Sequence, residues 1–199
     1  MTRRMTRTLT AVAVVALAAT GCTSTPDPEL PADLPTNTQT TTTEADPVRA
    51  AEQAAIEAYI TFNAVSNEVG QNYYRDYVDA LDFTCDEYSE KMSQQYEALF
   101  VAGAHQVGED TLSGFKVVDH QAVDNFPVDH HITFEVCIDG SATDVVRPDG
   151  SSHLDPGTAG RFVATVTMWH YDTSSLDKDA EPGGWWMVAG VKVDRKRPC

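Results

Sequence analysis

The chain has 199 residues with 30 acidic and 14 basic side chains, a net charge of −16, long enough for one domain with a sizeable core. That acidity excludes nonspecific attraction to nucleic acid or to an anionic lipid surface. P-loop, GxSxG, GxGxxG and HExxH motifs are missing from the sequence, so no cofactor is expected.

The first seven residues are basic through Arg3, Arg4 and Arg7, and Leu9 to Ala19 is apolar apart from Thr10. This is the n-region and h-region of an export signal, too short to span as a permanent helix. The run ends Ala19-Thr20-Gly21-Cys22 and resembles the bacterial lipobox, in which the Cys becomes the diacylated N-terminus. Ala19 departs from it, because Leu is usual there. The resemblance implies a signal peptide over residues 1–21, lipidation of Cys22 and a cell-membrane anchor on the extracytoplasmic face. Plain secretion and an uncleaved anchor are the alternatives. Loss of the three leader arginines leaves 11 basic residues against 30 acidic ones, a mature net charge of −19.

Residues 22–47 read as the lipidated Cys followed by a disordered tether. Pro26, Pro28, Pro31, Pro35, Pro47 and the run Thr40 to Thr43 leave little apolar surface to bury. As flexible chain it reaches roughly 30 Å.

The domain is expected over residues 48–199. Asp46-Pro47 is a helix start, and Ala51, Ala55, Tyr59, Phe62, Val65 and Val69 recur at helical spacing, with Gly70 as stop. A second helix is predicted over 73–81, capped by Asn72, with Tyr73, Tyr74, Tyr77 and Leu81 on its apolar side. Thr84 and Glu87 have capping-box spacing before a third helix carrying Tyr88, Met92, Tyr96, Leu99 and Phe100, closed by Gly103. The period then changes to two. Strands are predicted over 115–123, 131–138, 162–171 and 185–193, with turns at 124–129, 139–141, 148–150 and 182–184. In the second strand Ile132, Phe134, Val136 and Ile138 face one way, and His131, Thr133, Glu135 and Cys137 the other. The last strand is largely apolar on both faces near its start, which predicts a central place. Three helices followed by an antiparallel meander of about four strands is an α+β fold.

The long Ala-rich first helix, the 73–81 segment and the Gly183-Gly184-Trp185-Trp186-Met187-Val188 strand resemble the NTF2-like (SnoaL-like) cone. Cys137-Ile138-Asp139-Gly140-Ser141 followed by Pro148-Asp149-Gly150 resembles the actinobacterial lipoproteins of that fold. The resemblance implies a curved sheet enclosing a pocket against the helices. Family enzymes hold an Asp base with Tyr, His or Arg partners in an apolar cavity. Tyr59, Phe62, Tyr77, Asp82, Tyr96 and Trp185 are the possible pocket residues here, and none is assigned a catalytic role.

Of Cys85, Cys137 and Cys199, one bridge and one spare thiol are expected. The strands over 132–138 and 185–193 run the same way with one between, so Cys137 and the tail emerge at one end. Cys137–Cys199 is the favoured pair, Cys85–Cys199 the second, and three free thiols the alternative. The histidines lack metal-ligand spacing, although His120, His131 and His170 could approach one another across strands. Asp139, Asp144, Asp149 and Asp155 lack EF-hand spacing. Lys192, Arg195, Lys196 and Arg197 form a basic end expected to pair with the acidic surface. The expected function is a non-enzymatic anchored protein that binds a small apolar ligand or a partner protein. A lyase or isomerase of the same fold, and an accessory subunit of an envelope complex, are the alternatives.

Overall fold

The computed structural model describes residues 46–125, 127–154, 159–172 and 184–199. The leader, Cys22, the tether through residue 45, Asp155 and the Pro182-Gly183 part of the last turn lie outside the described residues.

Helix α1, Pro47–Gln71, starts at the expected place. Asp46 Oδ1 accepts the Val48 N–H at 3.1 Å, and proline fills the first turn. Ala55, Tyr59, Phe62 and Val69 are its buried stripe. It ends at Gln71, one residue past the stop expected at Gly70. That glycine is buried where Gln106 crosses the helix, and a Cβ there would lie 2.7 Å from Gln106 Oε1. The reversal falls on Tyr73 and Tyr74, at φ 59° and 54°, with the Tyr74 N–H reaching back to the Val69 carbonyl. Left-handed backbone is costly without glycine. Tyr74 offsets that cost by burying its ring 5.2 Å from Tyr96. The helix expected over 73–81 therefore shrinks to α2, Val78–Leu81, and Asn72 closes α1 instead of opening a new helix.

Helix α3, Asp86–Val101, starts without the expected capping box. Thr84 Oγ1 donates to the Leu81 carbonyl at 2.9 Å, and Cys85 holds the cap position with no side-chain capping bond. The reason is tertiary: the sheet takes this segment's backbone. The Val188 N–H donates to the Phe83 carbonyl at 2.8 Å, and the Cys85 N–H to the Val188 carbonyl at 3.1 Å. Gly103 ends α3 at φ 65°, with the Ala104 N–H on the Leu99 carbonyl and the Gly103 N–H on the Phe100 carbonyl.

Four antiparallel strands follow in the order β2–β3–β5–β6: β2 is Thr111–Asn125, β3 Val128–Asp139, β5 Arg161–Tyr171 and β6 Trp185–Asp194. β2 and β3 are longer than predicted, and the turn between them is shorter. A separate two-stranded sheet pairs β1, His105–Val107, with β4, Asp144–Val146. Three-residue strands carry too little periodicity to be read from sequence. β6 lies at the edge of its sheet, not at the centre. Its two apolar faces have another cause: Ala189 is a bulge between the Val188–Met168 and Gly190–Thr167 pairs. Trp186 and Val188 before it, and Val191 after it, therefore all pack on the core. The 83–85 segment takes the backbone bonds that Val188 would otherwise offer as an open edge.

The core is Ile132, Phe134 and Val136 of β3, Ala164, Val166 and Met168 of β5, and Val188 of β6, packed against Ala55, Tyr59, Phe62 and Met92. Each larger side chain contributes about 1.5–3 kcal/mol by burial. A second cluster, including Val69, Tyr74, Leu99, Ala104 and Val145, joins the small sheet to the helices.

After β6 the tail crosses β5 toward β3. The Val163 N–H donates to the Arg197 carbonyl at 2.9 Å, and the Arg197 guanidinium grips both Glu135 oxygens at 2.7 and 3.4 Å. Cys137 and Cys199 lie at disulfide distance, with an S–S separation of 1.90 Å and Cα atoms 5.8 Å apart. Cys85 is a buried free thiol.

Candidate functional site

The cleft that concentrates chemistry lies between α1, α3, the small sheet and the start of β5. It has a volume of about 410 Å³ and is lined by Ser66, Tyr74, Tyr96, Leu99, Asp110, Thr143, Val145 and Phe162, among others. Local structure explains why Asp110 is there. Asn63 and Asn67, one turn apart on α1, both donate their amides to the Asp110 carbonyl, at 3.1 and 3.2 Å. Asn67 Oδ1 accepts the Asp110 N–H at 3.2 Å and Gln106 Nε2 at 2.6 Å. This amide network spends its capacity on fastening the loop before β2 to α1. The carboxyl of Asp110 remains for the cleft, beside Gly140, where a Cβ would lie 2.9 Å from Asp110 Oδ1.

Burial pushes the Asp110 carboxyl above the ordinary aspartate range, Thr143 beside it works the other way, and the Asp139 carboxylate adds to the rise. Tyr96 and Tyr74 are likewise pushed up by burial, and the negative charge of Asp110 adds to both shifts. Ser66 Oγ and Thr143 Oγ1 are buried without a full hydrogen-bond partner among the described residues. Both keep bonding capacity toward the cleft. Leu99, Val145 and Phe162 supply apolar wall.

The pocket residues expected from sequence scatter. Tyr96 lines the cleft. Tyr59 and Phe62 are core, with Tyr59 edge-on to Phe134 at 5.6 Å. Tyr77 packs on the second cluster. Asp82 is exposed at the end of α2, in a separate acidic groove with Glu68, Asp76 and Asp79. Trp185 is 66% exposed. The acid in the cleft is Asp110, which sequence reasoning missed. It stands in Gly108-Glu109-Asp110, a stretch that reads as an ordinary polar loop.

A second polar cluster occupies the other end of the sheet. His130 faces His170 across β3 and β5, and His170 faces Trp186 across β5 and β6. His120 Nε2 lies 3.2 Å from His130 Nδ1, His120 Nδ1 lies 3.5 Å from a Glu52 oxygen, and His170 Nδ1 lies 2.6 Å from Asp129 Oδ1. His131, grouped with His120 and His170 on sequence, points to the opposite face and stacks on Trp169 at 4.9 Å. Among the described residues no group of three or more His, Cys, Asp or Glu is arranged to hold a metal. Asp139, Asp149 and Asp144 instead bond Ser141, Ser151 and Ser152 of their own hairpin. No described helix is long and apolar enough to cross a membrane.

No protein-family model matches the chain. No curated protein matches it either.

Proposed function

We propose that the protein is an exported lipoprotein, anchored through Cys22, whose NTF2-like domain binds a small molecule in the cleft above Asp110. The observation that carries the binding reading is the cleft itself: about 410 Å³, lined by apolar Leu99, Val145 and Phe162 together with polar Ser66, Asp110 and Thr143. Such a lining suits a ligand with an apolar body and one hydrogen-bonding end. Helices followed by a curved antiparallel sheet support the cone reading of the fold.

The experiment is native mass spectrometry of the protein extracted gently from its own membrane. A bound small-molecule mass is expected, released on denaturation and lost in Ala98→Trp, which fills the cleft from its exposed rim. An empty wild-type protein, or a ligand retained by that variant, contradicts the reading. The anchor is tested separately: Cys22→Ala is expected to leave the membrane fraction and to lose the acyl mass. A variant that stays membrane-bound with unchanged modification contradicts it.

Proton-transfer catalysis is the second reading. It rests on Asp110, whose carboxyl is raised by burial and stands among tyrosines. It expects wild-type protein to transform a component of a cell extract that Asp110→Asn leaves untouched.

A further inference from the structure

Asp110 carries the one carboxylate among the described residues that line the cleft. Among the described residues no ion pair joins Asp110 to a basic side chain. The other described residues along the cleft include Ser66, Thr143, Tyr74, Tyr96, Phe162 and His153. Arg195 stands at the rim with its guanidinium 5.5 Å from the centre of the Phe162 ring. The nearby Asp139 carboxylate adds negative potential, and the whole chain carries −16.

From this arrangement we infer that the cleft selects an organic ammonium ion: a primary or secondary amine on an apolar body, its N–H groups on the Asp110 carboxylate. The inference rests on the binding function proposed for this cleft and names the ligand class. Each part of the lining has a role in it. The carboxylate supplies the opposite charge and accepts charge-assisted hydrogen bonds. Ser66 and Thr143 offer acceptor lone pairs to the remaining N–H groups. The Tyr74 and Tyr96 rings, 5.2 Å apart, both line the cleft, and aromatic rings favour a cation over an anion. Leu99 and Val145 take the apolar body. An anionic ligand meets repulsion from Asp110. A neutral alcohol can bond the carboxylate but leaves its charge unbalanced. The negative field of the protein raises the local concentration of cations around the cleft.

Three near-isosteric probes test this: phenethylamine, phenethyl alcohol and phenylacetate, titrated into the isotopically labelled protein at neutral pH and followed by backbone amide shifts. Phenethylamine is expected to move the signals of Tyr74, Tyr96 and Asp110 and to bind about tenfold or more tightly than either analogue. Asp110→Asn is expected to remove that preference. Asp119→Asn, which deletes one exposed carboxylate on β2, is expected to keep it. Equal or tighter binding of the alcohol or the acid at the same residues overturns the ammonium inference while upholding the cleft as a binding site. No shift at these residues with any of the three counts against both. The ranking of the three probes on wild-type protein tests the inference without any variant.

Discussion

Asp110 shows how one residue can oppose the fold that holds it. Its carboxyl titrates above the unfolded value because burial penalises the charged form. The protonated form therefore favours folding: its contribution is full below the ordinary aspartate range and is lost as pH rises through the folded value. At neutral pH the charge works against stability, so Asp110→Asn is expected to raise the thermal midpoint by roughly 1–4 °C after allowance for solvent screening. The gain should vanish below about pH 4, and melting curves of both proteins across pH will show it. A constant gain at every pH would mean that the carboxylate is not the cause. Cys85 is another residue set by burial, which pushes its thiol up while the Tyr171 hydroxyl beside it works the other way. Both the burial and the low thiolate fraction suppress nucleophilicity. Native protein treated with iodoacetamide at pH 8 is expected to stay unmodified at Cys85 and to gain one adduct there on unfolding without reductant, read by mass. Rapid native labelling would contradict this.

Elements are ended here by residues the sequence marks unevenly. Gly103 is legible: a glycine after an apolar stripe, found at φ 65° closing α3, with Pro148 only 3.1 Å from where its Cβ would stand. Gly103→Ala is expected to destabilise by about 1–2 kcal/mol, measured by urea unfolding. An unchanged midpoint would show that the α3 end tolerates a side chain. Tyr73 and Tyr74 are not legible as stops, since nothing in a tyrosine announces left-handed backbone. Their spacing suits a helix face, and only the packing of Tyr74 on Tyr96, with Tyr73 on His105 at 4.5 Å, makes the reversal favourable. The same holds for β6. Two apolar faces read as a central strand, but a bulge that moves the inward set by one position produces the same pattern at an edge.

At the scale of the whole molecule the tail acts as a strap over the outer face of the sheet. Cys199 meets Cys137 across a sequence separation of 62 residues, and Arg197 pairs with Glu135 on the way. The Glu135 carboxyl is held below its ordinary range chiefly by its hydrogen bond from Arg197, so that contact is present above the usual glutamate range and is lost as pH falls. The covalent link is the larger effect. In the chain-entropy model closing that loop stabilises by about 4 kcal/mol. Cys199→Ser is expected to lower the unfolding free energy by that order, seen in denaturant titration, and reduction of the wild-type protein should lose a similar amount. A loss below about 1 kcal/mol would place the stabilisation in the packed sheet and not in the strap.

Periodicity determined the element types by itself: three helical stretches before Gly103, then strands of period two, with Asp46-Pro47 as the first boundary. Strand direction also brought Cys137 and the tail to one end. These are local patterns, and local patterns are written along the chain. The small β1–β4 sheet, the edge place of β6, the bulge at Ala189 and the cleft were decided only by the tertiary structure. Asp110 illustrates why. It lies in a polar loop whose place is set by Asn63 and Asn67, 47 and 43 residues earlier, through hydrogen bonds that exist only once α1 packs beside that loop. A residue whose environment is built from distant segments carries no local mark of its role, because its burial and its charge partners appear only when the chain closes around it.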